Sequence, residues 1–98
     1  DISDAVFKRI VDPEEEAHFS GQDKMRIFFR TFTAKEAVLK KTTHGLKGLS
    51  KAKIKRVMDD ANLVVQYLDK KYLVENFYFG GYLASVTKDN NDVQWTIR

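Results

Sequence analysis

Near Ser50 the hydrophobic pattern changes its period, once. Before that point apolar residues recur at three- and four-residue spacing, as on a helix with one buried face. After it, short runs rich in β-branched and aromatic residues alternate with polar breaks, as in consecutive antiparallel strands. A chain of 98 residues holds one small domain with one core. Both halves must therefore share that core. The expected class is α+β: a strand, two helices, then an antiparallel β-meander with the helices packed on one sheet face.

The helical half carries its own punctuation. Asp12 before Pro13 and the run Glu14, Glu15, Glu16 read as an N-cap, a proline at the first helical position and acids where the helix dipole favours them. This predicts a short helix over 13–19, stopped by Ser20-Gly21. Metal binding by the Glu triplet is the competing reading, but adjacent residues on a helix point in different directions. A longer helix follows over 23–42, with Met25, Phe28, Phe29, Phe32, Val38 and Leu39 on its apolar face. Gly45 and Gly48 mark 43–50 as a loop. Strands are predicted over 54–58, 63–68, 72–79, 82–87 and 93–97, separated by Asp59-Asp60, Asp69-Lys70, Gly80-Gly81 and the stretch 89–92. Asp1-Ile2-Ser3 reads as the end of a further strand.

Composition excludes several classes. With 43% hydrophobic and 12% aromatic residues the chain lies far from disordered compositions. It has no cysteine, hence no disulfide and no thiolate metal site, which makes the cytoplasm the expected compartment. No apolar run approaches the roughly 20 residues that span a bilayer, and nothing at the N-terminus resembles a signal peptide, so no membrane partner is expected. The first residue is Asp1 rather than methionine, which reads as a processed chain, an excised fragment or a chosen boundary. A net charge of +3 favours an acidic partner or a phosphorylated ligand.

One helical turn stands out chemically. Glu36 and Lys40 lie four residues apart on one face, and Phe29 and Phe32 precede Glu36 on the same side. That puts a carboxylate in line with the apolar stripe, where partial desolvation raises proton affinity unless a cation compensates. A solvated Glu–Lys pair is the plainer reading of the same spacing.

The run Phe28-Phe29-Arg30-Thr31-Phe32-Thr33-Ala34-Lys35-Glu36-Ala37-Val38-Leu39-Lys40, continuing without a gap to His44-Gly45-Leu46, resembles the signature of the 4′-phosphopantetheinyl transferases. That signature is an aromatic, two variable residues, Lys-Glu-Ala/Ser, then a lysine and a glycine-leucine loop. Asp1-Ile2 resembles the end of the family's Gly-x-Asp-Ile-Glu strand, and Phe7-Lys8-Arg9-Ile10 before Glu14 its following helix segment. Gly81-Tyr82-Leu83-Ala84-Ser85-Val86 resembles the glycine-tyrosine strand of the surfactin-synthetase-type subfamily, whose C-terminal lobe the chain is similar to.

The resemblance implies an activity and roles for particular residues. The activity is Mg²⁺-dependent transfer of 4′-phosphopantetheine from coenzyme A to a serine of an acyl or peptidyl carrier protein. It serves fatty acid, polyketide or nonribosomal peptide synthesis. Asp1 and Glu36 would hold the ion, Glu36 would also take the serine proton, and Lys40 would contact the coenzyme A phosphates and assist the leaving group. Lys35, His44 and Gly45 complete the implied coenzyme A site; Lys35 reads equally as a solvated lysine or a structural one, and His44 also as an ordinary surface histidine, like His18. Ser3 stands where the surfactin type carries a third acidic ligand, and Thr43 where the loop has its first glycine. The implied assembly adds an N-terminal lobe of the parent chain or a homo-oligomeric partner.

Two other functions remain open. One is a catalytically silent lobe that binds carrier protein or completes an oligomer. The other is a basic nucleic-acid-binding module using Lys40, Lys41, Lys47, Lys51, Lys53, Lys55 and Arg56 with Tyr72 or Tyr78 as stacking surfaces. No recognised RNA-binding motif supports the latter, and a solvated surface explains the lysines equally well.

Overall fold

The structure is a computed structural model and describes residues 2–88 and 95–97. Among the described residues three α-helices precede the sheet rather than two. In the first, α1 (Asp4–Ile10), the Ser3 hydroxyl accepts the Val6 N–H at 3.3 Å. Ser3 is thus a helix cap, and the strand end expected at Ile2-Ser3 is not formed. Such a short helix has little intrinsic stability. It is held by Phe7, buried 6.4 Å from the Phe28 ring.

In α2 (Pro13–Ala17) the expected capping is complete: the Asp12 carboxylate accepts the Glu15 N–H, and the Glu15 carboxylate accepts the Asp12 N–H. The helix stops at Ala17, two residues short of the expected end, and buried Phe19 follows it.

The long helix α3 (Lys24–Thr42) starts on Asp23, whose carboxylate accepts the Arg26 N–H. Phe28 sits edge-on to Phe29 and stacked with Phe32, which forms the aromatic seam that the spacing predicts. The stretch read as a loop is a 3-10 helix, Gly45–Lys51.

The strands are β1 (Ala52–Val57), β2 (Asn62–Tyr67), β3 (Lys70–Phe79), β4 (Tyr82–Thr87) and β5 (Trp95–Ile97). They form an antiparallel sheet in the order β1-β2-β3-β4-β5, the expected meander. Val93 and the expected break at 89–92 lie outside the described residues. β2 ends at Tyr67 because Leu68 adopts φ 56°, a turn conformation. Gly80 and Gly81, both at positive φ, make the two-residue turn that joins β3 to β4.

On β2 and β3 buried residues alternate with half-buried ones, and the buried set (Leu63, Val65, Tyr67, Tyr72, Val74, Asn76) shares the core with α3. β4 is buried along almost its whole length because α3 lies over it and β3 and β5 flank it. Tyr72, expected as an exposed stacking surface, is buried; Tyr78 is exposed. Among the described residues no helix is long and apolar enough to cross a membrane.

Candidate functional site

The second half of α3 is buried almost without interruption, from Thr33 through Leu39. Within it Glu36 is only 5% exposed, as its place in line with Phe29 and Phe32 requires. One turn later Lys40 is exposed. The two side chains therefore differ in environment, one largely withdrawn from water and the other in it.

The helix ends in a Schellman arrangement: the Thr43 N–H donates to the Lys40 carbonyl and the His44 N–H to the Leu39 carbonyl. This turns the chain back toward α3. Thr43 takes φ 62°, ψ 18°, the left-handed conformation for which helices usually use glycine. The backbone therefore follows the glycine route even though this residue is β-branched. Gly45 is also left-handed, φ 64°. As a result Glu36, Leu39, Lys40 and Gly45 line one depression of about 130 Å³. Three of the six expected site residues meet there.

Of the other three, His44 and Lys35 do not line it. Asp1, expected as a metal ligand, lies outside the described residues. His44 is exposed, and its Nδ1 is hydrogen-bonded to the Tyr67 hydroxyl. Lys35 is not a solvated lysine: its side chain is 2% exposed. Its ammonium donates to the Ile10 carbonyl at 2.7 Å and pairs with both Glu15 oxygens at 2.9 and 3.1 Å. Burial pushes the Lys35 pKa down, and the Glu15 charge and hydrogen bond oppose that shift.

Gly48 packs the 3-10 helix onto the sheet. A Cβ there would stand 2.5 Å from the Tyr67 hydroxyl oxygen and 2.8 Å from Leu39 Cδ2. The wall of the depression is therefore fixed from behind.

Sequence reasoning left three features undetected. Glu15, read as part of a cap with metal binding by the Glu triplet as the alternative, is the buried partner of Lys35. Arg30 is fully buried; it donates to Asn76 Oδ1 at 2.7 Å, Gln22 Oε1 at 3.0 Å and the Asp59 carbonyl at 2.9 Å. Asn76 continues this network to the Ser85 hydroxyl, which donates to Thr33. The third is a larger groove of about 500 Å³ at the other end of α3, between Met25, Arg26 and Phe29 and the β3–β4 hairpin. Its charged lining is Asp23 and Arg26, the former engaged in capping α3, and Phe79 and Tyr82 at its rim are 49% and 58% exposed. Aromatics on both sides of Gly80-Gly81 were the available signal.

Of the basic residues grouped by the sequence, Lys47, Lys51, Lys55 and Arg56 are exposed, while Lys53 pairs with Asp12 at 3.0 Å. β1 is an edge strand, and a bulge between Ile54 and Arg56 interrupts its pairing. Charged residues and a bulge on an edge protect it from pairing with other chains, which accounts for much of this charge.

Among the described residues no three His, Asp or Glu side chains gather as a metal cluster. Glu36 is the one carboxylate among the described residues that lines the depression. A single carboxylate beside an open depression fits a hard cation that takes its remaining oxygen ligands from water and substrate phosphates. No curated protein and no solved structure matches the chain at a significant level. The sequence model of the 4′-phosphopantetheinyl transferase superfamily matches residues 1–95. With a buried acid and an exposed amine on one turn of α3, and a match over nearly the whole sequence, the chain belongs to the 4′-phosphopantetheinyl transferase superfamily.

Proposed function

We propose that this chain carries the acid–base and phosphate-binding half of a site that moves 4′-phosphopantetheine from coenzyme A to a carrier-protein serine. The observation that carries the proposal is the shared depression: a nearly buried Glu36 and an exposed Lys40 one helical turn apart, with the side-chain-free Gly45 beside them. In the reaction the serine oxygen forms a bond to the phosphorus that bears the pantetheine. The bond from that phosphorus to the bridging oxygen breaks, and adenosine 3′,5′-bisphosphate leaves. Glu36 accepts the serine proton, a role suited to a carboxylate whose hydration is largely removed. Lys40 offsets the charge that grows on the departing phosphate, and the Gly45 backbone lets that phosphate approach closely. Glu36 and Asp1 would hold Mg²⁺, which supplies charge neutralisation at the pyrophosphate when bound. His44, next to Gly45 in sequence, serves as a secondary contact to coenzyme A.

The test is incubation of the full-length chain with coenzyme A, Mg²⁺ and an apo carrier protein, followed by intact mass of the carrier. The expected result is a gain of one phosphopantetheine that Glu36→Gln abolishes. No gain with the wild-type chain, or an undiminished gain with Glu36→Gln, would overturn the reading.

A second reading has its own support in the exposed groove formed by Met25, Phe29, Tyr78, Phe79 and Tyr82. Apolar surface of that kind marks a contact with another polypeptide. Under this reading the chain is a silent lobe whose groove receives another lobe or a second copy. Carrier-protein binding without mass gain, together with self-association that Tyr82→Glu disrupts, is the result that favours it.

A further inference from the structure

We infer that Glu15 and Lys35 are positioning residues for Glu36 and Lys40. This inference rests on the transfer reading and deepens it. The pair lies where α1, α2, α3 and β1 meet. Lys35 of α3 donates to the last carbonyl of α1, at Ile10, and to Glu15 of α2. Glu15 in turn accepts the Asp12 N–H through Oε1 and the Ile54 N–H of β1 through Oε2, the latter at 2.6 Å. Three helices and the first strand are thus tied to one carboxylate and one ammonium, each 2% exposed.

A buried ion pair is a poor source of stability, because apolar side chains of similar volume commonly do as well or better. What it has, and apolar packing lacks, is direction. The ammonium can meet the Ile10 carbonyl and the Glu15 carboxylate together only when α3 sits at one rotation and one height against α1, α2 and β1. Glu36 is the next residue on that helix and Lys40 lies a little over a turn further on, so the same rotation sets where both project. Neither Glu15 nor Lys35 lines the depression, and so neither is a catalytic residue under this inference.

The experiment compares the full-length wild-type chain with the double variant Glu15→Gln/Lys35→Met. In the double variant the glutamine carbonyl still accepts the Ile54 N–H, and no lone buried charge remains. The expected result is a thermal midpoint close to wild type and a kcat lower by about tenfold or more, since small misplacements of catalytic groups cost rate steeply. KM for coenzyme A is expected to stay within about threefold of wild type, because uniform binding is not what is lost. In ¹H–¹⁵N spectra the Lys40 and Gly45 amides shift in the variant.

A kcat unchanged within about twofold, with those amides unmoved, overturns the inference. If the wild-type chain transfers nothing, the transfer reading has failed, and the amide shifts alone decide whether the pair orients α3. Should the double variant not fold, Lys35→Arg, which keeps the charge and changes the reach of the donor, is measured in the same way.

Discussion

Gly48 lies against Tyr67 so closely that a methyl group added to the glycine would stand 2.5 Å from the phenolic oxygen. Leu39 closes the other side at 2.8 Å, and Tyr67 is buried, so the ring has little room to move away. Gly48→Ala is therefore expected to cost about 1–3 kcal/mol by overpacking. Gly45→Ala meets open space and should cost only the backbone penalty of its positive φ, about 1 kcal/mol. Urea unfolding of both variants checks the order; a Gly45 variant less stable than the Gly48 variant would refute the packing argument.

Thr43 invites the opposite experiment. It holds φ 62° at the end of α3, where a β-branched side chain is strained and glycine is not. Thr43→Gly is expected to raise stability by roughly 1 kcal/mol, less the entropy that glycine adds to the unfolded chain. Equilibrium unfolding that shows a clear loss instead would mean that the Thr43 side chain contributes more than its strain costs.

The Arg30 network predicts a larger effect. Asn76→Ala removes the acceptor for Arg30 Nε and the donor to Ser85 in one step. The guanidinium stays fully buried, and burial already pulls its pKa down. The expected loss is about 2–4 kcal/mol, dominated by desolvated groups left without partners. A loss below that of an ordinary surface substitution would show that the network relaxes around water.

Acid should destabilise the fold through carboxylates on its surface. At Asp12 burial acts to raise the pKa, but the Glu15 N–H and the Lys53 ammonium outweigh it and hold the carboxyl below its usual range. At Asp59 the Ala61 and Asn62 N–H groups do the same. A carboxyl with a lower pKa when folded binds its proton more tightly when unfolded. Its contribution is therefore present above about pH 4 and lost as pH falls through the folded value. Asp12→Asn and Asp59→Asn should each narrow their stability gap to wild type as pH falls from 5 toward 2. A gap that stays constant across denaturation curves in that range contradicts the assignment.

Much of this architecture was legible because period and burial coincide. The seam Phe28, Phe29, Phe32 announced α3, and glycine and aspartate pairs separated the strands. Glu36 and Lys40 could be placed together because a helix fixes residues one turn apart. Helix α1 was harder to see as a separate element, since its seven residues bury only Phe7 and so display no period. For Lys35 the solvated and structural readings stood level for a different reason. Its partners, Glu15 and the Ile10 carbonyl, belong to other elements, and local spacing carries no information about which of them will dock. The same holds for Arg30, whose acceptors come from the loop before α3, the β1–β2 turn and β3.

The order of the strands has a kinetic consequence. Every strand pairs with the one next to it in the chain, so the sheet can zip from hairpin to hairpin with only short loops to close. The distant encounter is the landing of α3 on β4, which brings Thr33 to Ser85 across half the sequence. Chains whose contacts are mostly local fold quickly. The sheet should accordingly assemble early and α3 seat on it late, so that the buried chain of hydrogen bonds from Arg30 through Asn76 and Ser85 to Thr33 closes only in the last stage of folding.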